Sequence, residues 1–74
     1  MKFKIGEKVK YYFKNIIGGR IIEDHEGAPA IIIGLPRETY KYYNIKIIFN
    51  QITYAALERD LKKFNEETWT EENL

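Results

Sequence analysis

The 74-residue chain contains no cysteine, no serine and only one histidine. Without cysteine there is no disulfide and no cysteine-based metal site. Without cysteine or serine, nucleophilic catalysis would depend on a threonine with an adjacent base. No Gly-x-Gly-x-x-Gly or P-loop pattern is present, and Gly18-Gly19 is more simply explained as a turn. The sequence therefore predicts neither a catalytic residue nor a cofactor.

The single histidine, His25, lies in the acidic segment EDHEG. One interpretation is a mononuclear metal site formed by His25 and its acidic neighbours. Ligands that follow one another in a single turn rarely converge on one ion, and there is no second histidine to assist them. We therefore interpret the segment as a solvated turn with a surface histidine, and predict no metal site.

Long apolar runs are also absent. No segment approaches the ~20 apolar residues of a membrane span, and the charged N-terminus lacks the unbroken apolar stretch of a signal peptide. The length allows one domain with a small core. We therefore expect a soluble cytoplasmic protein without a membrane partner.

The charges are unevenly distributed along the chain. All 12 basic residues lie in residues 1–64, together with seven acidic ones, whereas residues 65–74 contain four glutamates and no basic residue. We predict a mildly basic domain at 1–64 and an acidic tail at 65–74 that is flexible or loosely docked through Trp69. The tail either solubilises the protein or competes with a polyanion for the basic domain.

Alternation of apolar and polar residues indicates a chain made of strands. Five short strands are predicted, at roughly 2–14, 20–23, 30–35, 40–49 and 52–55. Gly18-Gly19 predicts a tight turn after the first strand, and the segment EDHEGAP predicts a polar turn after the second. Asn50-Gln51 interrupts the pattern between the last two strands. This spacing favours a small all-β barrel or sandwich.

The segment after residue 55 allows two interpretations. Its apolar residues recur at helical spacing and could line one face of a helix from 55 to about 67. We favour a single helical turn at 57–61, followed by a short closing strand at 62–64.

Four groups of residues form a pattern that is shared with one structural class. An aromatic-x-aliphatic-Gly-acidic opening leads into a strand as Phe3, Ile5, Gly6, Glu7 and Val9. The other groups are Gly19, Arg20, Ile21 and Ile22; Tyr43, Ile45 and Ile47; and Ile52, Tyr54, Glu58, Asp60 and Leu61. This pattern, over about residues 3–64, resembles the small SH3-like barrels of bacterial, phage and plasmid proteins. The resemblance implies a five-stranded barrel with one short helical turn before the last strand.

A second resemblance concerns the segment after the fourth strand. Gln51 and Ile52 precede an Ala-Ala-Leu-Glu-Arg run at 55–59. Plasmid-encoded type II dihydrofolate reductases carry Gln-Ile-Tyr shortly before such a run, and in that family these residues line a pore between four subunits. Here Thr53 stands in place of the tyrosine, and the spacing is one residue shorter. The resemblance implies an alternative function, an oligomeric reductase of this type.

The polar side of the first and fourth strands interleaves lysines with tyrosines. Lysines neutralise phosphates and flat rings stack on unpaired bases, as single-stranded nucleic acid binding requires. Lysines on a strand also discourage pairing between sheet edges. The candidate binding residues are Lys10, Tyr12, Lys14, Arg37, Tyr40, Tyr42, Lys46 and Trp69.

The leading hypothesis is a non-enzymatic binding module from a bacterium, a phage or another mobile element. Its partner is a protein or single-stranded nucleic acid, because the modest basic excess argues against tight sequence-independent binding of duplex DNA. Ile48 lies on the polar side of the fourth strand and indicates a contact between subunits, so a homo-oligomer is also considered.

Overall fold

The computed structural model describes residues 2–64, which form one sheet of five antiparallel strands and one helical turn. The strands are β1 Lys8–Ile17, β2 Arg20–Gly34, β3 Tyr43–Ile47, β4 Thr53–Ala56 and β5 Leu61–Lys63, with a 3₁₀ turn at Glu58–Asp60 before β5. The predicted all-β class, the Gly18-Gly19 turn and the helical turn before a closing strand are confirmed. The alternative long helix is not formed over residues 55–64.

The sheet order is β4-β3-β2-β1-β5, so β4 and β5 are its two edges. These edges do not pair with each other among the described residues, and the predicted barrel is therefore not confirmed. The sheet is nevertheless strongly curled. Tyr11 of β1 and Tyr54 of β4 lie three strands apart, roughly 14 Å in a flat sheet, yet their ring centroids are 5.8 Å apart.

The prediction of separate strands at 20–23 and 30–35 is wrong, because β2 runs unbroken through the segment EDHEGAP. Every residue of this segment except Gly27 is paired with β1, and the register shifts where Tyr11 and Tyr12 face Ala28 and Glu26. Gly27, at φ 79°, is the extra residue of this bulge. Glycine adopts a positive φ without strain. Gly27, which the sequence pattern places in a turn, therefore forms a bulge that bends a continuous strand.

Pro29 is compatible with this long strand because of where it lies. The pairing of β2 with β3 begins at Ala30, so the missing N–H of Pro29 removes no bond from that ladder. Its carbonyl oxygen still accepts a hydrogen bond from the Ile48 N–H at 3.0 Å. The interruption at Asn50-Gln51 belongs to the turn between β3 and β4: Gln51 adopts φ 62°, and its N–H donates to the Ile47 carbonyl at 2.9 Å.

The core lies on the concave side of the curled sheet. It consists of ten buried side chains, Phe3, Val9, Tyr11, Ala30, Ile32, Tyr43, Ile45, Ile47, Ala56 and Leu61. The outer ends of β1 and β2 extend beyond this core, and Ile16, Ile17, Ile21 and Ile22 around their turn are all more than half exposed. Within residues 2–64, no helix is long and apolar enough to cross a membrane.

Tyr43 connects the core to the segment before β1. Its ring is fully buried and meets Phe3 edge to face, with centroids 5.5 Å apart. Its hydroxyl donates to Glu58 Oε1 at 2.9 Å and accepts from the Phe3 N–H at 3.3 Å. Burial raises the pKa of Tyr43, while the hydrogen bond from Tyr43 holds the pKa of Glu58 below its ordinary value of 4.5. The bond therefore favours ionised Glu58.

Substitutions of the neighbouring residues Ile32 and Ile33 would test which side chains form the core. Ile32 is fully buried and Ile33 is 44% exposed, so Ile32→Ala should lower the free energy of unfolding by about 2–5 kcal/mol. The matched variant Ile33→Ala should lower it by about 1 kcal/mol or less. Urea denaturation measures both values, and equal losses would contradict the described core.

The Glu58 hydrogen bond predicts a pH-dependent contribution to stability. Because the pKa of Glu58 is lower in the folded state, its contribution is present above pH 4.5 and is lost as the pH falls through the folded pKa. The difference in unfolding free energy between the wild type and Glu58→Gln should therefore be largest near neutral pH and shrink in acid. Urea denaturation across this range measures it, and a constant difference would show that the carboxylate charge is not involved.

Candidate functional site

Four lysines converge on the convex side of the sheet, called here the outer face. In an antiparallel sheet, directly paired residues point to the same side. Lys10 of β1 pairs with Lys62 of β5. Lys8 of β1 pairs with Ile31 of β2, and Ile31 in turn pairs with Lys46 of β3. The outer face therefore presents cations from three strands at once. Lys10 and Lys46 are among the binding residues predicted from the sequence, whereas Lys8 and Lys62 are not.

Two aromatic rings lie among these lysines. Lys8 Nζ is 4.2 Å from the centroid of the Phe64 ring, and Lys10 Nζ is 5.5 Å from the same centroid. Lys62 Nζ lies 5.2 Å from the centroid of Tyr12. These distances are within the range of cation–π attraction, which holds each cation beside a flat apolar surface. The Tyr12 ring is 37% exposed, so it remains accessible to a ligand.

The bulge in β2 determines where the Tyr12 ring lies. A Cβ atom on Gly27 would be 3.0 Å from the Tyr12 hydroxyl oxygen and 3.2 Å from the carbon that carries it. The Tyr12 ring therefore occupies space that a side chain at position 27 would fill. Gly27 has two roles here, since it supplies the positive φ of the bulge and accommodates the end of Tyr12.

Lys14 lies at one end of the outer face, next to the acidic side chain of Glu26. Its Nζ lies 4.0 Å from Glu26 Oε1, and both side chains are at least half exposed. An exposed pair at this distance contributes little to stability. Glu26 also pairs directly with Tyr12. The lysine-rich surface is thus limited on this side by a carboxylate, and Lys14 is less available than Lys10 to an anionic ligand.

The remaining predicted residues lie elsewhere. Arg37 and Tyr40 form a backbone bridge in the connection between β2 and β3, and the Tyr40 hydroxyl donates to Asn44 Oδ1 at 3.5 Å. The ring centroid of Tyr42 is 5.4 Å from that of Tyr40, but Tyr42 lines a cleft beside β4 rather than the lysine cluster. Trp69 and the acidic tail at 65–74 lie outside the described residues.

His25 corrects the prediction of a solvated turn. It belongs to β2, and its side chain is only 13% exposed because its ring lies 5.1 Å from both the Tyr11 and Tyr54 rings, measured between centroids. His25 Nε2 is 3.2 Å from Glu23 Oε2. Over residues 2–64, no three histidine, aspartate or glutamate side chains come together as metal ligands.

The segment that resembles a reductase lies at one end of the sheet. Gln51 occupies the β3–β4 turn, Ile52 follows it, and Thr53 begins β4; all three are exposed. Ile48 and Phe49 in the same turn are also exposed, at 39% and 79%.

The sequence did not predict Phe64 and Lys62 as site residues, because the polar side of β5 is identified only once its pairing with β1 is known.

Comparison with known protein families, curated proteins and solved structures gave no match for this chain. Its functional assignment therefore depends on the chemistry of its surfaces.

The contact between Gly27 and Tyr12 is testable against a glycine with nearly the same φ. Gly27 has φ 79° and Gly19 has φ 78°, but a Cβ on Gly19 would meet nothing within 4 Å. Gly19→Ala should lower the free energy of unfolding by about 1 kcal/mol through backbone strain alone. Gly27→Ala should lower it by at least about 0.5 kcal/mol more.

Urea denaturation measures both effects, and the same substitutions on a Tyr12→Ala background provide the control. There the extra loss at Gly27 should disappear, because the ring that it displaces is gone. An extra loss that persists without Tyr12 would contradict the proposed contact.

Proposed function

We propose that the protein is a non-enzymatic binding module that holds single-stranded nucleic acid on its outer face. One observation carries this proposal: Lys8, Lys10, Lys46 and Lys62 share one face of the sheet with the rings of Tyr12 and Phe64. Cations neutralise a phosphate backbone, and neighbouring rings stack on bases that are free of a complementary strand.

The distribution of charge supports a single strand over a duplex. Residues 1–64 carry five more basic than acidic residues, a modest excess for a protein that grips duplex DNA through phosphates alone. Rings add binding energy only where bases are unstacked and exposed, and this favours single strands. The four lysines provide about four phosphate contacts, so the affinity should depend clearly but moderately on salt.

The curvature of the sheet supports an SH3-like barrel as the fold class, because it brings β4 towards β1 on the concave side. In such an arrangement the convex side is free to bind a ligand while the concave side forms the core. The bacterial, phage or mobile-element origin inferred from the resemblance is part of the same proposal.

Lys62 and Lys63 provide a matched test of the charge contribution. They are consecutive and both exposed, but Lys62 pairs with Lys10 on the outer face whereas Lys63 pairs with the core residue Val9. Fluorescence anisotropy with a labelled oligothymidine of about ten nucleotides measures the affinity at several salt concentrations. Lys62→Gln should weaken binding and reduce the slope of log K against log salt by about 0.7. Lys63→Gln should change neither value.

Tyr12 and Phe13 provide the corresponding test of stacking. Both rings are 37% exposed, but Phe13 pairs with His25 and lies parallel to the Tyr11 ring on the concave side. Tyr12→Leu should weaken oligonucleotide binding about tenfold, the equivalent of one lost base–ring stack. Phe13→Leu should leave the affinity unchanged. Equal effects within either pair, or no binding by the wild type at low salt, would refute the proposal.

A further inference from the structure

A cleft opens where the curled sheet fails to close. The edge of β4 faces β1 and the 3₁₀ turn across this gap, which encloses about 290 Å³. Four aromatic and two acidic side chains line it, namely Tyr11, Phe13, Tyr42, Tyr54, Glu23 and Asp60. The cleft is distinct from the outer face, since none of the four outer-face lysines lines it.

The walls of the cleft are aromatic. The Tyr11 and Phe13 rings are nearly parallel, at an angle of 6° with centroids 6.0 Å apart. The Tyr54 ring faces them from β4, 5.8 Å from Tyr11 between centroids. Aromatic faces carry partial negative charge, so several rings around one space attract an organic cation and disfavour an anion.

The acidic side chains of the cleft have no strong cationic partners. No lysine or arginine of residues 2–64 forms an ion pair with Glu23 or Asp60 within 4.0 Å, and Glu23 Oε2 lies 3.2 Å from His25 Nε2. Burial raises the pKa of Tyr11 to about 12, and the charges of Asp60 and Glu23 contribute to the same shift. The space in front of Tyr11 is therefore electrostatically negative.

The size of the cleft and its position at a strand edge indicate what it can hold. Its volume lies just below the range of roughly 300–1,000 Å³ that is typical of small-molecule and cofactor sites, so a single side chain fits better than a dinucleotide. Within residues 2–64, β4 pairs only with β3, and its other edge is free. A free edge can accept an extended peptide as an additional strand.

We propose that this cleft binds the guanidinium group of an arginine in an extended segment of a partner protein, while the backbone of that segment pairs with the free edge of β4. The planar guanidinium stacks on the half-buried Tyr54 ring and donates hydrogen bonds to the carboxylates of Glu23 and Asp60. Lysine satisfies the charge but lacks the planar group that stacks on a ring.

The test uses a blocked valine–arginine–valine peptide and its citrulline counterpart, which has the same shape without the charge. Two-dimensional NMR of the full chain follows the ring signals during titration. The arginine peptide should shift the signals of Tyr11, Phe13 and Tyr54 in a saturable manner. The citrulline peptide should bind about tenfold more weakly, because cation–π attraction and the charge-assisted hydrogen bonds are lost.

Substitutions locate the site. Asp60→Asn and Tyr54→Leu should each weaken binding of the arginine peptide about tenfold. Asp24→Asn should leave it unchanged, because Asp24 is next to Glu23 in β2 but pairs with Lys14 on the outer face. The spectrum of each variant reports whether it is folded, and the half-exposed Asp60 suffices for the test should Tyr54→Leu unfold.

Three outcomes would overturn the proposal. Equal binding of the citrulline peptide would show that the cation is not recognised. Equal binding of blocked arginine alone would show that the β4 edge takes no part and that no peptide partner is selected. Shifts that avoid the cleft rings, or that persist undiminished in Asp60→Asn, would place the interaction elsewhere.

Discussion

The pairing of β1 with β2 is the constraint on which the rest of the structure depends. These two strands are ten and fifteen residues long, and every other strand is attached to one of them or to a strand that they hold. The bulge at Gly27 shifts their register by one residue. Because side chains alternate along a strand, this shift decides which side of the sheet the β2 residues before Gly27 face, and it places Glu26 beside Tyr12 and His25 beside Phe13. The outer face and the cleft both depend on that one bulge.

The two surfaces of the sheet have opposite chemistry. The outer face gathers lysines from three strands, whereas the cleft at the open seam gathers carboxylates and phenol rings. A nearly neutral total of +1 conceals this separation. The two proposed ligands, one anionic and one cationic, would each be repelled by the surface that binds the other.

Alternation along the chain was sufficient to predict the all-β class and to place Lys10 and Lys46 on the polar sides of their own strands, and the Gly18-Gly19 pair predicted the turn. It failed at residues 24–29, because a glycine in a bulge and a glycine in a turn have the same local signature. Pairing with β1 satisfies the backbone of this segment, and no local pattern reveals that partner. The meeting of Tyr11, His25 and Tyr54 was equally hidden, since it follows from the curl of the whole sheet.

The outer ends of β1 and β2 have a consequence for how the molecule opens. Ile22 and Ile32 belong to the same strand, yet Ile22 is 56% exposed while Ile32 is fully buried. Residues near the Gly18-Gly19 turn have a partner on one side only, so we expect their amide hydrogens to exchange with solvent through local separation of the two strands. Those around Ile32 are held by β1 and β3 together, and their exchange requires unfolding of the core. A single strand thus combines a segment that can open locally with a segment that opens only with the core.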